Sequence, residues 1–352
     1  MTLPKKRLLN FEIIRIIAMV LIVFHHAVLY SSFNGVNDNI LLFLRHGGKF
    51  GVILFVLITG YFECEKEFNI KKILKIILHT IFYSYLFLGI AFIFSDGIGF
   101  KTILKYLLPV TYRQYWFITA YVILYLLMPF LNKLINNLEK KEFKKLLFVL
   151  SLIVCILPSF VFASFQLQNV DFIIYIYLIG AYIKKYGIFE KISRNKSLIL
   201  GLGLYLISYF LKVVCEYIGL DLVNYSSLNS IFLYASAIFI FKYFKNLEIN
   251  KFSKLILFFS KTTLGVYLIH ENIFMRKYLW KDLLSKLNIN NLLFFIIYII
   301  GIYLICSIID FIYLKFIEKY LEKLLEKIIY LFKKINSKIK NTKIICIVSD
   351  LF

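Results

Sequence analysis

Apolar runs of 14 to 23 residues recur along the chain, separated by short polar segments rich in lysine. A membrane-crossing helix needs about 20 predominantly apolar residues. The pattern therefore predicts an all-α membrane helix bundle with about ten transmembrane helices: Phe11–Tyr30, Gly48–Phe62, Ile73–Phe94, Trp116–Leu134, Leu146–Phe162, Val170–Ile183, Leu198–Ile218, Leu228–Phe244, Leu255–Phe274 and Leu292–Leu314. The second run holds GVILFVLITGYF, Gly51 to Phe62, which is short and flanked by glycine, so it is expected to pack inside the bundle or to re-enter. Residues 1–314 form the membrane domain on this reading. Residues 315–352 form a basic tail whose repeat of Leu, Ile and Tyr against Lys and Glu predicts an amphipathic helix on the cytoplasmic leaflet, its lysines near anionic lipid.

Composition agrees: 61% of residues are hydrophobic and 18% aromatic, and the mean hydropathy is +0.80. No soluble domain of useful size remains. The first run is not expected to be a cleaved leader, since no small-residue cleavage site follows it. A formal charge of +22 would suit a nucleic-acid partner, but its placement argues against one. Lys and Arg crowd the N-terminus (Lys5, Lys6, Arg7) and the segments Lys66–Lys72, Lys133–Lys145, Lys184–Lys196 and Lys242–Lys254, while Ala163–Asn169 and Gly219–Ser227 carry none. That alternation follows the positive-inside rule and predicts cytoplasmic termini. Arg276 to Lys286 is the exception, a basic segment placed outside. The cysteines at 64, 155, 215, 306 and 346 lack metal-type spacing and read as small buried hydrophobes, and no metal site is expected.

Against this background one pair stands out. Arg15 and His26 lie eleven residues apart within the first apolar run. An ionisable group in hydrocarbon costs roughly 2.5 kcal/mol or more, so such residues face a bundle interior or a wet cavity and mark functional paths. Eleven residues advance a helix by three turns plus about 20°, which puts Arg15 and His26 on one face about 16 Å apart. His25 points roughly 80° away from Arg15. The bland alternative has Arg15 snorkelling to headgroups and the histidines bonding neighbouring helices. Farther on, Lys72 and Lys75 share a helix face that would suit a phosphate, or are ordinary positive-inside lysines. Tyr115 and Trp116 read as interface aromatics before substrate platforms. His270 and Glu271 fall in the outer part of the ninth run, and His79, Asp171, Glu216 and Asp310 read as packing or interface groups.

With these residues in view, the chain resembles the membrane-bound acyltransferase-3 family, integral-membrane O-acyltransferases of cell-envelope carbohydrates. The resemblance rests on F-E-x-x-R-x-x-A-x(7)-H at Phe11, Glu12, Arg15, Ala18 and His26; on Gly51, Phe55, Thr59, Gly60 and Tyr61; on Tyr115–Phe117; and on Tyr267–His270. It implies catalysis by His26, as general base or transient acyl carrier, with Arg15 and Glu12 as its motif partners. Lys72 and Lys75 stand where many members carry an Arg-containing motif, and are implied to hold CoA phosphates without the forked contact of Arg. His25, Trp116 and His270 are implied near the substrate. Acyl-CoA, acetyl-CoA first, is then a co-substrate, and no cofactor is held permanently. The partners are a carbohydrate acceptor (capsule, exopolysaccharide, teichoic acid or lipid-linked sugar) and membrane lipid, and the location is the cell membrane. No esterase-like domain is appended, so transfer is expected to finish in the bundle or on a partner. A transporter or flippase of a lipid-linked or polymeric saccharide, or an assembly scaffold, would place the same charges differently: only the enzyme requires His26.

Overall fold

The computed structural model describes residues 8–31, 33, 35–95, 97–160, 169–219 and 230–339, and these form helices without strands. Among the described residues, six helical runs are long and apolar enough to cross a membrane. They are α1 (Leu9–Tyr30), α2 (Asp38–Glu63), α3 (Ile70–Phe94), α5 (Trp116–Asn137), most of α9 (Arg194–Tyr217), and a run from Leu292 to Leu331. Short α4 (Phe100–Leu107) precedes α5. The other expected spans are shorter or interrupted. The fifth is α6 (Lys140–Ser151), a π-helical stretch (Leu152–Ile156) and α7 (Leu157–Phe160); the sixth is α8 (Asn169–Tyr186) and the eighth α10 (Ile231–Lys245). The ninth is broken into α11 (Ser253–Lys261), α12 (Thr263–His270) and α13 (Ile273–Lys277), followed by a π-helical turn and the short α14 (Leu284–Lys286).

The segment Gly51–Phe62 packs inside the bundle, one of the two outcomes expected of it, but it is neither short nor re-entrant. That segment is the second half of α2, a continuous helix of 26 residues whose start is capped by the Asn37 side chain accepting from the Asn39 N–H at 2.8 Å. Its glycines are contact points: a Cβ at Gly48 would strike the His25 ring, one at Gly51 would lie 2.5 Å from the Ala18 carbonyl oxygen, and one at Gly60 would overlap the Tyr177 carbonyl of α8. Gly47 and Gly51 are spaced as in close-packed membrane helix pairs, where small residues let backbones approach. So α2 is wedged between α1 and α8, while α1 packs also on α10, α11, α12 and α15 (Leu292–Ile312).

The outer groups follow chemistry that composition alone hides. His79 Nε2 lies 2.8 Å from Asp310 Oδ1, which also accepts from the Tyr83 hydroxyl at 3.0 Å, so both act in packing between α3 and α15. The Asp171 carboxylate accepts from the Phe172 N–H at 2.9 Å. The side chain of Glu216, the N-terminal basic cluster, the loop from 163 to 168, most of Gly219–Ser227, and Cys346 lie outside the described residues. The tail helix α16 (Glu318–Ile339) continues from α15 through a π-helical turn (Tyr313–Ile317) and pairs Glu326 with Lys71 at 3.2 Å and Glu322 with Lys75.

Candidate functional site

The stripe Arg15, Met19, Ile22, His26 and Tyr30 repeats every three to four residues along α1 and lines a cavity of about 1150 Å³. The opposite wall is α11 and α12, which run in the same direction as α1, since His26 meets His270 and Tyr30 meets Glu271. Lys254 and Lys261 therefore fall toward the Arg15 end, together with Lys315 and Glu318, while His25, Lys49 and Glu271 line the His26 end. The N-terminus of α5, Trp116 to Ile118, closes one side. The two ends differ in charge: four cations and one carboxylate at the Arg15 end, and at the other one cation, Lys49, and a carboxylate, Glu271, already taken by Arg276 at 2.8 Å.

The hydrogen bonds around His26 fix where its proton sits. His270 Nδ1 lies 2.5 Å from the Val266 carbonyl oxygen, which can only accept, so Nδ1 carries hydrogen and donates. In neutral His270 the other nitrogen, Nε2, is then an acceptor, and it lies 2.9 Å from His26 Nδ1. His26 Nδ1 must therefore bear its hydrogen, with the Glu271 carboxylate near it, Oε2 lying 3.2 Å away without a hydrogen bond to it. That leaves the lone pair of His26 on Nε2, which has no protein partner among the described residues, on a ring that lines the cavity. Glu271 is held from three sides. Its Oε1 accepts from the Tyr30 hydroxyl at 3.1 Å and from Arg276 Nη2, whose Nε donates to the Glu271 carbonyl at 2.9 Å. Arg276 thus belongs to the site as a counter-ion and is no loop charge, which accounts for one of the four basic residues of the exceptional segment and leaves Lys277, Lys281 and Lys286 outside the site.

His26, His270 and Glu271 also bring three atoms able to bind a metal within 4.8 Å of one another. A tetrahedral ion with Zn–N bonds of about 2.0–2.1 Å would separate two ligand nitrogens by about 3.3 Å. The 2.9 Å spacing seen here is that of an N–H···N bond, and Glu271 already neutralises Arg276. The arrangement fits a proton relay better than a metal cradle.

Of the residues singled out in the sequence, Arg15, His25, His26 and Trp116 line the cavity. Buried Glu12 holds the Arg15 guanidinium at 3.1 Å from one helical turn away. His25 donates from Nδ1 to the Arg45 carbonyl at 2.6 Å, which ties α1 to α2. His270 is fully buried and reaches the cavity only through His26. Tyr115 is no interface aromatic: it is fully buried, its hydroxyl donating to the Leu268 carbonyl at 3.0 Å and accepting from Asn272 at 2.9 Å. Lys72 and Lys75 do not reach the cavity; Lys72 pairs with Glu63 at 2.9 Å and Lys75 with Glu322. The cations at the Arg15 end are instead Lys254, Lys261 and Lys315. Lys49 and Tyr30 join the His26 end without having been marked by the sequence, with Tyr267, marked only as part of the motif Tyr267–His270, and Arg276, marked only as an exception to the charge pattern. Lys49 could have been found by the argument applied to Arg15, a charge inside an apolar run.

No curated protein and no solved structure matches the chain. The family model described as an acyltransferase domain, acyltransferase family 3, matches residues 8–311. That span holds α1 and every residue of the His26 relay, and the several apolar helices together with the family point to a membrane protein. The chain therefore belongs to acyltransferase family 3.

Proposed function

We propose that this acyltransferase moves an acyl group, acetyl in the simplest case, from cytoplasmic acyl-CoA to a hydroxyl of a cell-envelope carbohydrate. One observation carries the reading: the His270 relay leaves His26 Nε2 as a free base on the wall of a cavity large enough for two substrates. A thioester is already activated, so the protein has to align the hydroxyl with the carbonyl, remove a proton and stabilise the oxyanion. His26 Nε2 takes the hydroxyl proton as the oxygen adds to the thioester carbon. The tetrahedral intermediate then expels CoA thiolate, which leaves with that proton as the thiol. The imidazolium formed in between is stabilised by Glu271 at 3.2 Å from Nδ1 and by His270 accepting at 2.9 Å.

The donor's position follows from charge. CoA carries several phosphate charges, and the cations able to meet them lie at the Arg15 end: Arg15, Lys254, Lys261 and Lys315. The axial distance of about 16 Å between Arg15 and His26 suits a pantetheine arm reaching from those cations to the base. Cytoplasmic termini put the Arg15 end inside and leave the His26 end for an acceptor from outside.

The test is the acyl content of surface carbohydrate, released by mild alkali and weighed by mass spectrometry, in cells carrying the intact chain, His26→Ala or no chain. Loss of one ester-linked acyl species in both deficient strains, with the variant still present in membranes, is expected. Unchanged acylation, or a change only in how much polymer reaches the surface, would overturn the proposal in favour of transport.

A further inference from the structure

A second chemical requirement of the cavity is unmet by His26. Lys49 lies inside α2, lines the cavity, and has no ion-pair partner among the described residues; its ammonium rests over the Trp116 ring, 5.4 Å from the centroid. A charge in a membrane interior without a counter-ion is costly, and a cation over an indole recovers about 0.5–2 kcal/mol of that. Beside it stands the N-terminus of α5. No side chain caps it, and no carbonyl of the preceding segment accepts from the N–H of Trp116, Phe117 or Ile118, all three of which line the cavity. N–H groups without a backbone acceptor at the start of a 22-residue helix form a site of partial positive charge, the Phe117 N–H facing the Tyr267 oxygen.

An independent observation marks the same corner as one that awaits a ligand. The Tyr267 side chain is only 4% exposed, its hydroxyl proton has no acceptor, the group facing its oxygen being the Phe117 N–H, and it lines the cavity with its ring 6.2 Å from that of Phe117 and 6.4 Å from that of His26. A buried hydroxyl proton without an acceptor costs about 1–3 kcal/mol, and here it is a donor left unused in the resting protein. Three kinds of donor thus meet next to the base: an ammonium, backbone N–H groups and a phenol. None is needed for the CoA phosphates, which the Arg15 end accommodates.

We propose that Lys49, the α5 N-terminus and Tyr267 form an anion pocket which receives the acyl carbonyl oxygen of the donor as it becomes an oxyanion. The identity of the anion rests on the acyltransferase reading; the pocket itself does not. As the acceptor oxygen bonds to the thioester carbon and its proton passes to His26 Nε2, the carbonyl π pair moves onto that oxygen and is held by these donors. When the pair returns, the C–S bond breaks and the thiolate leaves with the proton. A pocket for a negative group fixed on the acceptor would use the same donors, but would act on binding and not on turnover.

Two readouts on Lys49→Gln, Lys49→Arg and Tyr267→Phe separate these cases, all in purified full-length protein in nanodiscs. The first is thermal stabilisation by inorganic phosphate, an anion that requires no turnover. It is expected in the intact protein and reduced in Lys49→Gln. The second is steady-state transfer from acetyl-CoA. Removing one oxyanion donor costs roughly 10²- to 10³-fold in kcat. Lys49→Gln and Tyr267→Phe are expected to lose kcat on that scale with KM for both substrates within about twofold, and Lys49→Arg to recover part of it. Tyr267→Phe removes one oxygen atom, so it answers the question if Lys49 variants fail to fold. If phosphate does not stabilise the intact protein and neither variant lowers kcat, the pocket is refuted. If KM for the acceptor rises while kcat holds, the oxyanion assignment is wrong. An intact protein without any transfer activity sinks the enzyme reading, and the phosphate arm then still decides whether the pocket exists.

Discussion

At the scale of single residues, the site depends on which nitrogen of His26 is free, and that is set by a side chain the substrate does not touch. His270 is a positioning residue: its Nδ1 is locked on the Val266 carbonyl, so its Nε2 can only accept from His26. Replacing it with Phe keeps a ring in a fully buried position and removes the acceptor. His270→Phe is expected to lower kcat by about 10- to 100-fold, the usual cost of losing such an orienting partner. KM for acyl-CoA should hold, and a fall in KM's favour with kcat intact would remove His270 from the mechanism. Glu271→Gln should be milder in shape yet leave Arg276 without its counter-ion, 2.8 Å away. Breaking a fully buried pair costs about 3–5 kcal/mol; with the Arg276 side chain 29% exposed the cost is smaller, and a measurable loss of thermal stability in detergent is expected. Sequence reasoning reached His26 and Arg15 because a charge in an apolar run is visible in one dimension. It reached Tyr267 only through the motif Tyr267–His270 and Arg276 only as an exception to the charge pattern, because a tyrosine inside a span and an arginine just past one show no role until the fold brings them to the base. Lys72 and Lys75 show the converse: helical spacing gave them a common face, but their partners, Glu63 and Glu322, come from other elements.

Elements were legible where apolar length decided them and illegible where contacts did. The first, third, fourth, seventh and tenth runs appear as helices close to their expected bounds. The second packs inside the bundle as one expectation had it, but its full length is hidden because glycine looks like a helix breaker in sequence; in α2 it serves backbone approach to α1 and α8, and continuous packing on both sides holds the helix together. The ninth run hid its breaks at Thr262 and Asn272, since both residues fit within an apolar helix by composition, while Asn272 caps α13 by accepting from the Phe274 N–H at 3.0 Å. The crossing of α2 and α8 can be tested directly. A Cβ at Gly60 would overlap the Tyr177 carbonyl, and one at Gly180 would lie 2.5 Å from the Leu57 carbonyl oxygen. Overpacking a rigid contact costs about 1–3 kcal/mol, so Gly60→Ala is expected to lower the thermal midpoint. Gly203→Ala, in α9, meets nothing within 4 Å and should be neutral or gain up to about 1 kcal/mol from helix propensity. Equal effects at the two positions would mean that the crossing is not close-packed.

For the whole molecule, the decisive property is that one cavity joins two chemically different ends. A thioester with several phosphates and a carbohydrate hydroxyl on the far side of a membrane can react only if each substrate enters from its own side and both meet at His26. The charge asymmetry supports that division: Arg15, Lys254, Lys261 and Lys315 cluster at one end, and Leu29 and Tyr30 line the other. Sidedness is therefore the property on which the proposed reaction stands. Single cysteines at Leu29 and Lys254 would read it, because the four described native cysteines are all buried and give little background. Cys64, just past the end of α2, has its thiol pushed up to about 11 by burial, so at neutral pH it is almost entirely protonated and slow toward maleimide. With Cys346 replaced by Ser, a membrane-impermeant maleimide applied to intact cells is expected to label Leu29→Cys and to spare Lys254→Cys until the membrane is opened. Acetyl-CoA added to opened membranes should then protect Lys254→Cys and leave Leu29→Cys reactive, since the donor's phosphates cover the first and only its acyl end approaches the second. Labelling of both positions from one side only, with neither reached from the other, would mean that both ends of the cavity open to the same face, and transfer across the membrane would have to be abandoned for a reaction confined to that face.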